Sequence, residues 1–285
     1  MSLPKHRSSS QVKKYVCCGQ AYKKKYADGI TEPKSASQVT GSCLHSCAQI
    51  DLKDRVIGLR WHTRDELLEH ARKYIDDEFE KDEPVVFDFV RTDFPTKSLI
   101  FSWVECLISK YLEIRENINP ALVEYEMTLH IPVFGHIEQD YKIILDLAEH
   151  NGNLSDWKCS IINIPNPAVK KKRESSLNQS LAKKKKYVHL DFALTGYCMA
   201  YYHKYGRMPD RVFYRCLILD ADRMTVEYVE LDTARDFGHV NKFILYLEEV
   251  LKGMSAGAYI PCLDSWMCCP EKCYYYPRCE YVSEI

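Results

Sequence analysis

The chain has 285 residues, of which 46% are hydrophobic and 28% charged, and its formal net charge is -1. That length can bury one sizeable core, and the charge balance excludes recognition of nucleic acid through the overall field, so any such surface must be a local basic patch. No stretch approaches the roughly 18 apolar residues of a membrane helix. Met1 to Lys14 is polar and basic without the apolar middle of a secretory signal, so an intracellular protein with no membrane association is expected.

In chain order, Ser8 to Tyr26 predicts a first helix, capped by Ser8, Ser9 or Ser10, with Val12, Tyr15, Val16 and Tyr22 as its apolar stripe. Gly29 to Ser37 reads as a loop, and a second helix starts near Gln38 and carries His45. Thr63 to Phe79 predicts a helix with Thr63 as N-cap and Leu67, Leu68, Ala71 and Tyr74 on one face. Ser98 to Ile114 predicts another. Beyond Pro120 the period changes. Val123 to Val133 alternates like a strand, Tyr141 to Ala148 is an apolar run, and the Asn151-Gly152 turn leads to a strand from Leu154 to Ser160. Asn163 to Lys186, with its lysine runs, predicts a loop. Val188 to Tyr205 predicts a helix, Arg211 to Leu219 and Met224 to Leu231 two strands, and Asp236 to Leu251 a last helix. The order implies an α/β fold around a mixed sheet. It divides into a mostly helical portion (1–120), an α/β core (121–251) and a cysteine-rich tail (252–285).

Thirteen cysteines, an odd number with no export signal, argue for metal or cluster ligation over a disulfide framework. Cys262, Cys268, Cys269, Cys273 and Cys279 crowd the tail, and Cys17, Cys18, Cys43 and Cys47 lie near the start. Cys106, Cys159, Cys198 and Cys216 are single and read as small buried hydrophobes.

The chemistry centres on Asp156-Trp157-Lys158. Lys158 shares the strand face of Asp156, where an ammonium could support charge developing at a phosphate. Either Glu138 or Asp146 could join Asp156 on a hard divalent cation, Mg²⁺ or Mn²⁺. His136 and His150 read as surface residues. Lys23, Lys24 and Lys25, interleaved with Tyr22 and Tyr26, suit unpaired strands, because bases stack on aromatics among cations. Lys183, Lys184, Lys185 and Lys186, with the run from Lys170 to Arg173, are further phosphate contacts. Single-stranded DNA is the expected partner.

These motifs in this order resemble the RecB-like PD-(D/E)XK nucleases, which include CRISPR-associated adaptation nucleases, AddB-type subunits and viral exonucleases. Ser8 to Tyr26 resembles the family's opening helix, and Gly41-Ser42-Cys43-Leu44-His45 its Gly-x-x-x-His element, whose histidine is a metal ligand. Val133 to Glu138 resembles its Gly-x-x-Asp strand, Ser155 to Ser160 its acid-x-Lys strand, Leu194 to Tyr205 its next helix, and Trp266 to Cys279 its terminal cysteine cluster. The resemblance implies a restriction-endonuclease-like mixed sheet flanked by helices. It implies a catalytic set of Glu138, Asp156, Lys158 and Tyr197, with Asp146 as the alternative to Glu138, and metal ligands His45, Glu138 and Asp156. It also implies a [4Fe–4S] cluster on Cys18, Cys269, Cys273 and Cys279, with Cys268 as the alternative to Cys269; a Cys₄ zinc site is the rival. Two features depart from the family. Ala193 stands where the family has glutamine, four residues before Tyr197, and Glu138 stands where aspartate is usual. The implied activity is exonucleolytic hydrolysis of DNA, which adds DNA with free ends to the expected partners. A weakened DNA-binding or recombination accessory protein is the alternative, and a zinc-stabilised interaction module is a third reading.

Overall fold

The computed structural model describes residues 6–91, 93–134, 137–164, 177–265 and 267–282. Gly135, His136, the run from Lys170 to Arg173 and Trp266 lie outside them, so the readings placed on those residues do too.

A capping box sets each of two early helices. Ser35 and Gln38 start α3 (Ala36–Val56), and Thr63 and Glu66 start α4 (Arg64–Phe79). With α5 (Lys97–Arg115) they form one helical layer. Ile100, Trp103, Val104, Leu107 and Ile108 of α5 are fully buried there, and each such side chain contributes roughly 1.5–3 kcal/mol. The sheet follows: β2 (Pro120–Phe134), β3 (Ile137–Glu149), β4 (Asn153–Ile162), β5 (Arg211–Asp220) and β6 (Thr225–Thr233). Three N-terminal residues, His6–Ser8, add a short β1. The sheet is six-stranded and mixed, in the order β1-β3-β4-β5-β6 with β2 on the other edge of β3. Strands β4 and β5 are parallel, which requires a crossover. That crossover contains α6 (Leu177–Leu190) and α7 (Phe192–Tyr205). Finally α8 (Phe237–Ser255) packs with α7 on the face opposite α3–α5. The chain is α/β, with helices on both faces of a mixed sheet and a cysteine-rich tail.

Two expectations need correction. The first helix is not continuous from Ser8 to Tyr26. It is α1 (Ser9–Cys17), a break at Cys18, α2 (Gly19–Tyr22) and a single π-helical turn, Lys23–Ala27. The break lets the tail cross. Gly19 N–H donates to Ile260 O at 2.9 Å, and a Cβ at Gly19 would stand 2.6 Å from Ile260 N. The second correction concerns the expected loop to Lys186 and helix from Val188. Residues from Leu177 are already helical, and the helix stops at Leu190 because Asp191 turns extended and caps α7 through Ala193 N at 3.0 Å. Arg235 braces that corner by donating to the carbonyls of Val188, His189 and Asp191.

No helix among the described residues is long and apolar enough to cross a membrane.

Candidate metal centre and nucleic-acid face

The centre of the site is a fork in the sheet. Strand β4 pairs with β3 only at Leu147↔Ser155 and Ala148↔Leu154, and β1 takes up the same edge further back, at residues 140–142 of β3. Between these two attachments the edge of β3 is open. Asp146 is the first residue of β3 past the last pair, and Asp156 is its counterpart on β4, which β5 holds in ladder register with Tyr214. Helix α3 lays His45 over the fork.

One ligand atom from each of His45, Asp146 and Asp156 lies within 4.8 Å of the others. His45 Nε2 stands 2.9 Å from the Trp157 carbonyl. A carbonyl only accepts, so Nε2 carries the proton and the lone pair of Nδ1 faces Asp146 Oδ2 at 3.6 Å. Burial lowers the His45 pKa against the pull of Asp156, which favours this neutral form. Asp146 is held from two sides: Trp157 N–H donates to Oδ2 at 3.3 Å and Tyr197 Oη–H to Oδ1 at 3.0 Å. Burial and then the adjacent Asp156 carboxylate raise the Asp146 pKa well above the ordinary carboxylate range. Tyr197 is pushed up by burial and by both acids, so it remains a donor. Lys158 Nζ lies 2.5 Å from Asp156 Oδ2, an ion pair outside hydrogen-bond angles. Burial opposes its charge, but Asp156 and Asp146 outweigh burial, and Lys158 stays an ammonium.

This donor set fits a divalent cation. Bonds of about 2.1 Å let one ion span donors up to about 4.2 Å apart, and His45 Nδ1 and Asp146 Oδ2 already stand 3.6 Å apart. Two buried carboxylates set this close together, with Asp146 raised in pKa by burial and by its neighbour, are the arrangement a dication relieves. The neutral imidazole shifts the preference from Mg²⁺ towards Mn²⁺.

The structure puts Asp146, not Glu138, beside Asp156. Glu138 is exposed and sits in register with Pro132 near the start of β3. Eight residues of strand separate it from Asp146, about 26 Å at ~3.3 Å per residue. The glycine frame pointed to the wrong end of a long strand. Sequence reading also missed Glu124. It takes a left-handed φ of 51° between the pairs Val123↔Leu147 and Tyr125↔Leu145, across from Asp146. Burial raises its pKa, with Lys53 opposing and Asp156 reinforcing. No local signal marks such a residue; only the strand register brings it near.

The chain's ends meet at a second place. A cavity between α1–α2 and the tail is lined by Cys17, Cys18, Cys262, Cys268, Cys273 and Cys279. Cys269 is not among its lining residues; Cys268 takes that place. Gln20 Nε2 donates to Tyr259 O at 2.7 Å, and Tyr275 Oη donates to Ile30 O at 3.0 Å, closing the same junction. Among the described residues no three of these sulfurs lie within 4.8 Å of one another. Four thiolates on one zinc at ~2.3 Å would stand about 3.8 Å apart. The remaining thiols are packing groups: Cys43, Cys47, Cys198 and Cys216 are buried, and Cys106 and Cys159 partly so.

Of the lysines, Lys23 pairs with Asp28 at 3.0 Å and Lys25 with Glu32 at 2.6 Å, while Lys24 lines the cysteine cavity. Lys183 and Lys184 of α6 reach a cavity beside Lys158. Lys185 and Lys186 are exposed, as is His150.

No family model matches the sequence, and neither does any curated protein. Among solved structures, a candidate exonuclease from Eubacterium rectale aligns with a TM-score of 0.54 at 13% identity, over 93% of this chain and 87% of its own. The two share a fold. A second solved structure aligns with a TM-score of 0.34 at 12% identity over 95% of both chains, too distant for argument.

Proposed function

We propose that this chain is a metal-dependent DNA nuclease of the RecB-like PD-(D/E)XK type, acting on DNA ends and favouring unpaired strands. One observation carries the reading: His45, Asp146 and Asp156 converge where two strands part, with Lys158 two residues beyond Asp156. The fold-level likeness to a protein named as an exonuclease points the same way. His45 Nδ1 and the two carboxylates would hold Mn²⁺ or Mg²⁺, which when bound supplies Lewis-acid assistance to phosphodiester hydrolysis. Tyr197 fixes Asp146 by its hydrogen bond. Lys158 stands ready to stabilise charge developing on the scissile phosphate. Lys183 and Lys184 extend the positive face along the strand's path. The cysteine cavity suits a group wider than a single ion, and we assign it a [4Fe–4S] cluster.

The test is cleavage of end-labelled single strands with Mn²⁺. Asp146→Ala, Asp156→Ala and Lys158→Ala should each lose about 100-fold or more in rate, while Glu138→Ala stays near wild type. Affinity should change little, because it comes from dispersed phosphate contacts. A second reading, binding without cleavage, draws on Ala193, which leaves the cavity wall without the family's amide. Wild type inactive on linear and circular DNA with either metal would decide for it.

A further inference from the structure

A cavity of about 510 Å³ opens between α1, α6, the start of α7 and α8, with Tyr141 of β3 and Lys158 and Ser160 of β4 in its lining. Its volume is that of a small-ligand site. One wall is aromatic: Phe192 stacks on Tyr246 with centroids 4.4 Å apart and planes 23° apart. Tyr187 is 54% exposed and Phe192 39% exposed, so both rings can be reached from the cavity. The other lining is cationic, with Lys13, Lys158, Lys183 and Lys184 against a single carboxylate, Asp191. That carboxylate is already matched, by Lys13 Nζ at 2.7 Å and by the Tyr214 hydroxyl. Lys158 belongs both to this cavity and to the metal centre.

We infer that the cavity seats one unpaired nucleotide next to the scissile bond, its base against Tyr187 and Phe192 and its phosphate between Lys183 and Lys184. The inference rests on the nuclease reading for its orientation but not for its chemistry. Flat rings beside ammonium groups match a base and its phosphate, and stacking needs a base freed from its pair. A paired end cannot offer that face without fraying. The cavity therefore selects for unpaired strand ends at the nucleotide level.

Short DNA carrying 2-aminopurine as its terminal nucleotide tests this with the full chain in EDTA, where hydrolysis is suppressed. A single-stranded end should be quenched on binding and a blunt duplex end should not. Tyr187→Ala should weaken the quenched complex about tenfold, Tyr187→Phe should restore it, and Lys183→Ala should weaken it and reduce its salt dependence. Equal quenching of blunt ends, quenching unchanged in Tyr187→Ala, or an abasic end that binds as tightly as a normal one would each overturn the inference. The nuclease reading is judged separately: cleavage without quenching removes the pocket alone, and quenching without cleavage removes the nuclease alone.

Discussion

Asp146 has no ordinary neighbour. Its two oxygens are oriented by a backbone N–H on one side and the Tyr197 hydroxyl on the other, before any cation arrives. Such bonds fix a ligand's direction and are worth 10–100-fold in metal affinity at comparable sites. Tyr197→Phe keeps the ring, which is 8% exposed, and removes only the donor. We expect Mn²⁺ to bind about 10–100-fold more weakly in this variant, measured by calorimetry, with activity recovered at high Mn²⁺. An effect on rate that persists at saturating Mn²⁺ would mean that Tyr197 acts on the substrate instead. The strand period put Lys158 on the face of Asp156, whereas His45 and Tyr197 were singled out through the family resemblance, and the structure brings all four to one place. The choice between Asp146 and Glu138 could not be read from the sequence. It depends on which part of a 13-residue strand reaches the fork, and that is set by where β1 and β4 attach, a matter of pairing between distant segments.

At the scale of elements, the helices that cap themselves were the legible ones. Ser35 with Gln38 and Thr63 with Glu66 place helix starts within two residues of the sequence reading. The elements misread are those whose ends are decided from outside: α1 stops because the tail must pass over Gly19, and α6 forms from a lysine-rich stretch with only Val188 buried. The loop after α2 illustrates how such segments are tied. Glu32 accepts from Lys14 of α1 at 2.7 Å and from Lys25 of the π-helical turn at 2.6 Å. Burial pushes the Glu32 pKa upward, but the two ammonium groups prevail and the pKa is lowered. A carboxylate with a depressed folded-state pKa stabilises the fold above its unfolded value, near 4.5, and that contribution is lost as pH falls through the folded value. Glu32→Gln should therefore cost about 1–3 kcal/mol at pH 7 by urea denaturation. The difference from wild type should shrink as the pH is taken below about 4.5. A gap that stays constant down to acid pH would assign the loss to packing rather than charge.

For the whole molecule, the question is how residue 18 and residues 262–279 are kept together across nearly the full length of the chain. Hydrogen bonds from Tyr15, Gly19 and Gln20 to the backbone of Ala258, Ile260 and Tyr259 bring the tail back to α1–α2. Among the described residues beyond Ile260 the chain is irregular, with one short 3₁₀ turn at Tyr276–Arg278 and little buried apolar surface apart from Tyr275. Such a segment needs a further constraint to stay ordered. A cluster bonded to Cys18 at one end and to the tail at the other would supply it, because binding free energy at such sites is also folding free energy. Cys268, Cys273 and Cys279 line the cavity together with Cys18, as do Cys17 and Cys262, whereas Cys269 does not, and we propose Cys268 in place of Cys269 as the first tail ligand. Burial, and after it the neighbouring thiols Cys18 and Cys279, raise the pKa of Cys268, as expected where thiol groups crowd together without a cation to share. Cys268→Ser should therefore lower iron and sulfide content as far as Cys18→Ser or Cys273→Ser does. Each should cost about 2–4 kcal/mol of stability, or roughly 5–10 °C in Tm. Cys269→Ser should keep the iron and the visible absorption of the anaerobically purified protein. The reverse pattern, iron kept in Cys268→Ser and lost in Cys269→Ser, would mean that the tail turns by one residue when the cluster binds. Zinc in place of iron in the wild type, at one atom per chain, would replace the cluster with a single-ion site and require the cavity to contract around it.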